Sequence, residues 1–471
     1  MKIPFGDWAP DLYELDSGVS AVARNVYPSV NSYKPVLGPS AYSSALPAVP
    51  RGLTMARKNN GTFDAFAGTA SNLYKLSGTA FNSVGSGYAV PTDELWSFAQ
   101  FGIYLVATNF ADGPHVFNVE SGSSFSALGG SPPTARIADV IDDYLVLASL
   151  GSDPYAIKWS DTNDITNWST GNSGTQSFPD GGRVQNFSGA ASLVIQETTI
   201  RRMISSPGSS VVFQFEKLEQ AKGTIAPFSV IKYGPAIAHL TEDGYWFNGE
   251  PIGKGKVDNY FLSQVDRTRL FSVQGAFDPI RPIFYWLYRT SDSLVYDRGL
   301  MYNWYAKKWA DLDVDVYIAS AIATPGITLE QLGAAYPNLE NVPYSLDSRV
   351  WQGGQPVFGV IDSALKLAFF EGDTLEATME TGDRQLAPGR RALATGVRPL
   401  VDTSSAVARI GKREREADPR VWDAEMTMQT SGVCPGRSGG RFHRFRVRIP
   451  AGTTWTHASG VEVTAQPQGG R

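Results

Sequence analysis

Residue types that commonly bind metals are sparse in this chain. Its four histidines (His115, His239, His443 and His457) are scattered over more than 340 residues, and its single cysteine, Cys434, stands alone. A zinc site needs about four clustered ligands, so we predict neither a metal nor any other cofactor. His443 and His457 could meet across a hairpin, but two satisfied or exposed histidines are the favoured interpretation.

Catalytic motifs are not evident either. No Gly-x-Ser-x-Gly elbow stands in a strand-turn-helix context, and the acidic groups at 139–143 and 242–243 fall at predicted hairpin tips, where Asp favours turns for local hydrogen-bonding reasons. A propeller could bring distant carboxylates together at its axis, so glycoside cleavage stays open as an alternative. We predict that the chain is not an enzyme.

Two loop motifs are candidates for functional sites. Residues 160–168 (SDTNDITNW) resemble the Asp-box turn of sialidase-type propellers, although the glycine is missing and the tryptophan comes one residue late. Such a turn is structural, so it indicates a blade and not an activity. Residues 253–256 (GKGK) lack the spacing and the following helix of a phosphate-binding loop.

The sharpest polar feature is an arginine-rich strand near the C-terminus. Arg444, Arg446 and Arg448 alternate with apolar residues, so one face of the strand would be guanidinium and the other core. Such a row suits phosphates or carboxylates on a neighbouring subunit. Salt bridges within the chain are the equally weighted alternative. The candidate contact residues are Arg441, Arg444, Arg446, Arg448, Lys412 and Arg413.

Most of the chain that precedes the arginine-rich strand consists of a sequence repeat. From residue 52 the same succession of four short strands and Gly-rich turns recurs, with copies opening near Gly52, Glu94, Arg136, Val184, Phe228, Leu270 and Val316. Repeats of about 40 to 50 residues with four strands each are typical of propeller blades. We predict an all-β fold, a β-propeller of six to eight four-stranded blades, over a sandwich. The only helical periodicity, a weak one, covers residues 328–339.

The regions flanking the repeat differ in composition. Residues 1–50 are rich in Pro, Ser and Tyr and are interpreted as an extended N-terminal arm lying across another surface, with a disordered terminus as the alternative. Residues 51–383 would form the propeller, and residues 384–471 a small basic β domain. Candidate blade-packing residues are Trp96, Trp159, Trp168, Trp246, Trp286, Trp304 and Trp309.

Composition and charge bound the class of protein. The chain has 471 residues, 42% hydrophobic and 18% charged, with 47 Gly and 29 Pro, which indicates a globular protein with many turns. No secretory signal or transmembrane segment is evident, so we expect no stable membrane insertion. The net charge of −5 divides unevenly: residues 384–471 hold 15 Lys and Arg against 7 Asp and Glu, or +8, which leaves −13 for residues 1–383.

Several segments together resemble the tail nozzle proteins of short-tailed bacteriophages, a family also described as tail tubular protein B-like or as hub and packaged-DNA stabilisation proteins. The resemblance is spread over most of the chain. The segments that carry it are MKIPFG at the start, residues 157–168 (IKWSDTNDITNW), 294–309 (LVYDRGLMYNWYAKKW), 343–354 (PYSLDSRVWQGG), 440–455 (GRFHRFRVRIPAGTTW) and 458–463 (ASGVEV).

The resemblance implies a structural virion protein. It implies a homohexameric ring in the virion tail, assembled in the host cytoplasm, that docks on the head-to-tail adaptor and portal and contacts tail fibre or spike proteins. Genomic double-stranded DNA would pass through the ring at ejection and be retained before it. On this view, charge reversal at Arg444, Arg446 and Arg448 would weaken assembly without unfolding the propeller. Alternatives are a carbohydrate- or receptor-binding, or glycoside-cleaving, propeller, and a trimeric tail-tip protein.

Overall fold

The first residues of the chain supply five short strands that join two different parts of the molecule. The computed structural model describes residues 1–206, 209, 211–218, 221–324, 326–346, 348, 351 and 353–468. The N-terminal strands are β1 (Lys2–Pro4), β2 (Ser20–Arg24), β3 (Val26–Pro28), β4 (Tyr33–Pro35) and β5 (Ser40–Ala41). Their partners lie hundreds of residues away, so this segment folds only with the rest of the chain.

Five antiparallel four-stranded sheets follow, each a propeller blade. Blade 1 comprises β6 (Pro50–Arg57), β7 (Phe63–Thr69), β8 (Asn72–Ser77) and β9 (Ala80–Ser86). Blade 2 comprises β10 (Ser97–Phe101), β11 (Tyr104–Thr108), β12 (His115–Asn118) and β13 (Ser126–Ala127). Blade 3 comprises β14 (Ala135–Ile141), β15 (Tyr144–Leu150), β16 (Ala156–Trp159) and β17 (Gly174–Ser177).

The next two blades complete this uniform series. Blade 4 comprises β18 (Val184–Ser188), β19 (Leu193–Gln196), β20 (Ile200–Ser205) and β21 (Phe213–Lys217). Blade 5 comprises β22 (Ile231–Tyr233), β23 (Ala236–Thr241), β24 (Gly244–Phe247) and β25 (Glu250–Pro251). Small residues, apolar alternation and tight turns explain the strands, since both faces of a blade are covered by its neighbours.

Blades 6 and 7 share one long strand. Their strands are β26 (Gln274–Phe277), β27 (Ile283–Tyr288), β28 (Tyr296–Asn303), β29 (Lys308–Ile322), β30 (Val357–Asp362) and β31 (Leu367–Phe369). The first part of β29 pairs with β28, and the part from Val316 onward pairs with β30. The strand therefore leaves the edge of blade 6 and becomes the innermost strand of blade 7.

The N-terminal segment closes the ring of blades. β5 pairs antiparallel with β31 as the outermost strand of blade 7, with Ala41 opposite Ala368. Tyr42, next to it, is 1% exposed and packs against Trp351 and Phe369. Seven blades are thus present in the described part of the chain, which confirms the predicted propeller.

The C-terminal unit consists of two facing sheets. Its later strands are β32 (Ala377–Thr381), β33 (Ala392–Val401), β34 (Val407–Arg413), β35 (Val421–Trp422), β36 (Met426–Thr427), β37 (Cys434–Gly440), β38 (Phe442–Ile449) and β39 (Ala458–Pro467). One sheet has the order β3-β4-β39-β33-β37, with β1 beside β39. The other has the order β2-β32-β38-β34-β35 and continues through β2 into blade 6.

Residues 1–50 pair with strands of both the C-terminal unit and the propeller. β1 to β4 pair within the C-terminal unit, while β5 pairs within blade 7. β2 also meets β29 in parallel, with Arg24 opposite Asp311. One sheet of thirteen strands therefore runs from the propeller into the C-terminal unit, and one apolar core extends through both.

Within the described residues, two short α-helices interrupt the strands. α1 (Asp258–Gln264) follows blade 5, and its first turn is capped by the Asp11 carboxylate, which accepts from the backbone N–H groups of Asn259 and Tyr260 at 2.8 Å each. α2 (Leu329–Ala335) lies within the weak helical periodicity of residues 328–339 and begins with a Thr328–Gln331 capping box. Three 3-10 turns cover Pro227–Ser229, Arg267–Ser272 and Leu339–Asn341.

Candidate functional site: the arginine cluster

The arginine strand folds as its alternation predicts. In β38, Phe445, Val447 and Ile449 are fully buried in the core between the two sheets. Arg444 and Arg446 lie on the opposite face, which the N-terminal segment partly covers. β32 and β34 flank β38, and Glu380 and Arg409 stand directly opposite Arg446 in register.

Arg444 is the most enclosed of these arginines. Its side chain is 6% exposed; its Nε lies 3.0 Å from Asp383 Oδ1 and its Nη1 3.6 Å from Glu380 Oε2. Its Nη2 pairs with Glu14 from the N-terminal segment. Burial, and then the neighbouring Arg446, lower the pKa of Arg444 to about 10, so the guanidinium stays charged at neutral pH.

Asp383 is the centre of the cluster. This carboxylate is 1% exposed and accepts from Arg420 Nη2 at 2.8 and 3.1 Å as well as from Arg444. Arg413 forms a third ion pair with it. Three guanidinium groups around one buried carboxylate leave excess positive charge, which Glu14 and Glu380 offset.

Glu380 links the cluster to the next arginine. Arg446 Nε donates to Glu380 Oε1 at 2.5 Å, and the Glu380 side chain is 3% exposed. Burial raises the pKa of Glu380 while Arg446 opposes that shift. The Arg446 guanidinium also lies 4.3 Å from the ring centroid of Trp422, a cation–π distance. The group is thus held on two sides.

The outer members of the predicted set are less enclosed. Arg448 donates to both carboxylate oxygens of Glu425, at 2.9 and 2.7 Å, and to Glu376 at 2.9 Å. The hydrogen bonds to Glu425 raise the pKa of Arg448. Lys412 pairs with Asp423 at 3.2 Å. Five of the six predicted contact residues are therefore engaged within the chain, a geometry that favours the internal-pairing alternative.

Arg441 is the exception. It is exposed and forms no ion pair within the described ranges. Arg390 and Arg437 share both properties and lie near it, because Gly440 is opposite Ala392 where the edge strand β37 pairs with β33. We call these three residues the basic edge, the surface on which exposed arginines without an ion pair in the described ranges lie together.

The ion-pair cluster continues toward the propeller. Arg24 on β2 donates from Nε to Asp311 Oδ2 at 3.0 Å, and Arg298 of blade 6 lies 3.7 Å from the same oxygen. The Asp311 side chain is 2% exposed; burial raises its pKa, and Arg24 and Arg298 oppose the shift. Tyr260 of α1 donates its hydroxyl to Asp311 at 3.1 Å. Paired charges thus reach the junction between the propeller and the C-terminal unit.

Sequence reasoning did not identify the carboxylates of the cluster. Glu14 lies 430 residues from Arg444, so no local pattern connects the two. Glu380 lies on β32, and Asp383 lies just after the end of that strand. A strand that carries buried carboxylates beside an arginine-rich strand is the signal that could have identified them.

The seven candidate blade-packing tryptophans differ in burial. Trp286 and Trp309 are fully buried, with ring centroids 5.6 Å apart. Trp96, Trp159 and Trp168 are also buried. Trp246 and Trp304 are only half-buried.

The remaining sequence candidates have structural partners. Asp161 accepts from the backbone N–H of Asn172 at 2.7 Å and from Asn167 Nδ2 at 2.9 Å, which fixes the turn that resembles an Asp box. His443 is buried beside Ser438, whereas His457 is exposed beside Asp402, so the two contact different groups. Across the described ranges, no cluster of His, Cys, Asp or Glu could hold a metal ion, and no helix is long and apolar enough to cross a membrane.

No family model matches the sequence, and no curated protein matches it. Among solved structures, a chain in the crystal structure of the mitotic checkpoint complex is similar with a TM-score of 0.36 and 10% identity, over 73% of this chain and 97% of that one. A chain of YCF48 bound to D1 peptide is similar with a TM-score of 0.33 and 12% identity, over 64% and 94%. Scores this low add no argument, and the fold assignment rests on the strand order.

Proposed function

We propose that this chain is a structural subunit of a short-tailed phage tail, where copies form a nozzle ring that conducts DNA at ejection and helps to retain it beforehand. The proposal rests first on the segments that resemble tail nozzle proteins. The structural observation that carries it is the thirteen-stranded sheet that joins blade 6 to the C-terminal unit. A mechanical, non-catalytic role suits such a joint.

The joint resists hinging because backbone pairing and ion pairs both cross it. β2 adds backbone pairing on both of its sides, and across the joint Arg24 of β2 pairs with the buried Asp311 of blade 6. Removing one partner of a buried ion pair leaves an uncompensated charge, which is strongly unfavourable. A subunit built this way transmits force between its two parts instead of hinging.

The DNA path in this proposal is the axis of the assembled ring and not the axis of one propeller. Lys232 of blade 5 reaches Asp139 of blade 3 at 2.7 Å, so an ion pair links the innermost strands of two blades that are not adjacent. A duplex cannot pass there. The net charge of −13 over residues 1–383 would repel phosphates at a channel wall, which favours passage over retention by tight binding.

Docking is assigned to the basic edge. Arg444, Arg446 and Arg448 already have carboxylate partners, whereas Arg390, Arg437 and Arg441 are exposed on or beside the edge strand β37. Exposed guanidinium groups can pair bidentately with carboxylates of a neighbouring subunit or of the adaptor. This replaces the buried arginines with exposed ones as the contact surface.

Native mass spectrometry of the purified chain, alone and with adaptor rings from the same phage, tests the proposal. We expect a six-membered ring, formed either alone or on the adaptor. A monomer under both conditions would contradict the ring, and a trimer would favour the receptor-binding alternative.

A glycan-binding propeller is the second candidate, because one cavity has suitable chemistry. It has a volume of about 600 Å³ and is lined by Asp142, Asp143, Tyr144, Thr162 and Asn172, among other residues. Carboxylate, amide and hydroxyl groups beside an aromatic ring can hydrogen-bond and stack with a sugar. Binding to a glycan array that is lost in Asp143→Asn would favour this candidate, and an array without signal would remove it.

A further inference from the structure

A second cavity, of about 340 Å³, opens between blades 4 and 5. On the blade 4 side it is lined by Leu193 and Arg202, which are opposite each other in register. On the blade 5 side it is lined by His239 and Trp246, which are likewise opposite each other. Both pairs face the gap between the two sheets.

The cavity exists because these two blades are joined by a small core. Among the residues that the structure describes, the buried cluster at this contact consists of Ile195, Ile200, Val230 and Ile237. Ala191, Leu193, Leu218 and Ala221 pack against it while only partly buried. The walls of the cavity are therefore largely apolar, and an apolar ligand group placed there would be removed from water.

His239 lines the cavity and has an unused hydrogen-bond acceptor. It is 1% exposed, and its Nε2 lies 2.8 Å from the Lys222 carbonyl oxygen. A carbonyl only accepts, so Nε2 carries the hydrogen and Nδ1 keeps a lone pair. Nδ1 is buried and has no hydrogen-bond partner. Burial lowers the pKa of His239 to about 4, which keeps the ring neutral.

Cationic groups lie beside the apolar walls. Arg202 is exposed and has no ion pair within the described residues, while Lys222 pairs with Asp243 and lies 6.0 Å from the ring centroid of Trp246. The lining thus offers a guanidinium that has no ion pair among the described residues, a second cation shared with a carboxylate, and an indole face.

We propose that this cavity binds a small organic carboxylate that has an aliphatic body and one N–H or O–H donor. The body fills the space between Leu193 and Ile237, the carboxylate pairs with Arg202, and the donor hydrogen-bonds to His239 Nδ1. Each part of the ligand thus contacts a different part of the lining. None of these lining groups belongs to the arginine cluster or the basic edge.

N-acetyl-L-leucine is a suitable probe because it has a carboxylate, an aliphatic side chain and an amide N–H. Ligand-observed NMR on the 471-residue chain would measure its binding, with an expected Kd of about 1 mM for a ligand of this size. The neutral N-acetyl-L-leucinamide and the Arg202→Gln variant should each bind about threefold to fivefold more weakly. His239→Phe should weaken binding about fivefold by removing the acceptor.

Two further variants separate this site from others. Ala191→Phe fills the cavity and should abolish binding, whereas Arg57→Gln, at an exposed arginine on blade 1, should leave it unchanged. Arg202 is exposed, so its substitution leaves folding intact, and thermal unfolding would verify this for every variant. Three results would overturn the proposal. They are no binding at ligand concentrations well above the expected Kd, equal binding of the acid and its amide, and binding that survives Ala191→Phe. None of these results depends on ring formation.

Discussion

Arginines of one strand differ sharply in what they contribute. Arg444 and Arg448 lie four residues apart on β38 and share a face, yet the side chain of the first is 6% exposed and that of the second 28%. Because solvent screens exposed pairs, only the buried member can contribute strongly to stability.

Arg444→Met should therefore lower the free energy of unfolding by about 3 kcal/mol or more, since it leaves Asp383 and Glu380 buried with less positive charge around them. Arg448→Met, the matched control, should cost less than about 1 kcal/mol. Urea denaturation followed by circular dichroism measures both. Equal effects of the two substitutions would show that burial does not set the strength of these pairs.

Asp258, at the start of α1, predicts a pH dependence. Burial raises its pKa from 3.8 to about 6, so the folded state binds this proton more tightly than the unfolded state. The contribution is fully present below pH 3.8 and is lost as the pH rises through about 6. Above that pH, Asp258→Asn should stabilise the chain by about 1–2 kcal/mol.

The measurement is the thermal midpoint of both chains between pH 5 and pH 8. The variant should lose less stability than the natural chain across this window. Parallel curves for the two chains would show that Asp258 is ionised without cost in the folded state.

At the scale of elements, the N-terminal strands pair with both the C-terminal unit and blade 7 of the propeller. β5 is only two residues long, so Tyr42 must supply much of its attachment through its contacts with Trp351 and Phe369. Tyr42→Ala removes a fully buried aromatic ring, a change that costs about 3–5 kcal/mol in a packed core.

We expect that substitution to open blade 7 first. Hydrogen exchange of β30 and β31 should become faster while blades 2 and 3 keep their protection. Tyr13→Ala, at an exposed tyrosine, is the control and should change neither. Uniform loss of protection over all blades would mean that closure at β5 is not a separate step.

Elements that form through local interactions could be predicted from the sequence, whereas pairings between distant segments could not. The seven predicted repeat openings fall within a few residues of the innermost strands, which begin at Pro50, Ser97, Ala135, Val184, Ile231 and Gln274, with Val316 inside β29. Alternation and turn residues are local signals and can be read directly. The pairing of β2 with β29 and of Arg444 with Glu14 depends on the folded whole, so no local pattern encodes it.

At the scale of the molecule, the propeller and the C-terminal unit are two charged bodies joined by one sheet. Residues 1–383 carry a net charge of −13 and residues 384–471 a net charge of +8, although β1 to β4 and β32, from the first range, lie in the C-terminal unit. Copies in a ring could bring the basic edge of one subunit against an acidic propeller or an acidic adaptor. The internal pairing of Arg444 makes charge reversal there a test of folding instead of assembly.

Charge reversal at the basic edge is the matched test of assembly. Arg437→Glu with Arg441→Glu should weaken ring formation or docking about tenfold, because two exposed contacts become repulsive. The thermal midpoint should stay unchanged, since both residues are exposed. Arg57→Glu on blade 1 is the control. Unaltered assembly in the double variant would remove the basic edge from the interface.

Electron cryo-microscopy of the particles that carry this chain would show whether it forms the nozzle ring that we propose. We predict six copies in a ring below the portal and adaptor, with the DNA path along the ring axis and outside the individual propellers. Three copies at the tail tip, or no copies in the particle, would contradict the account.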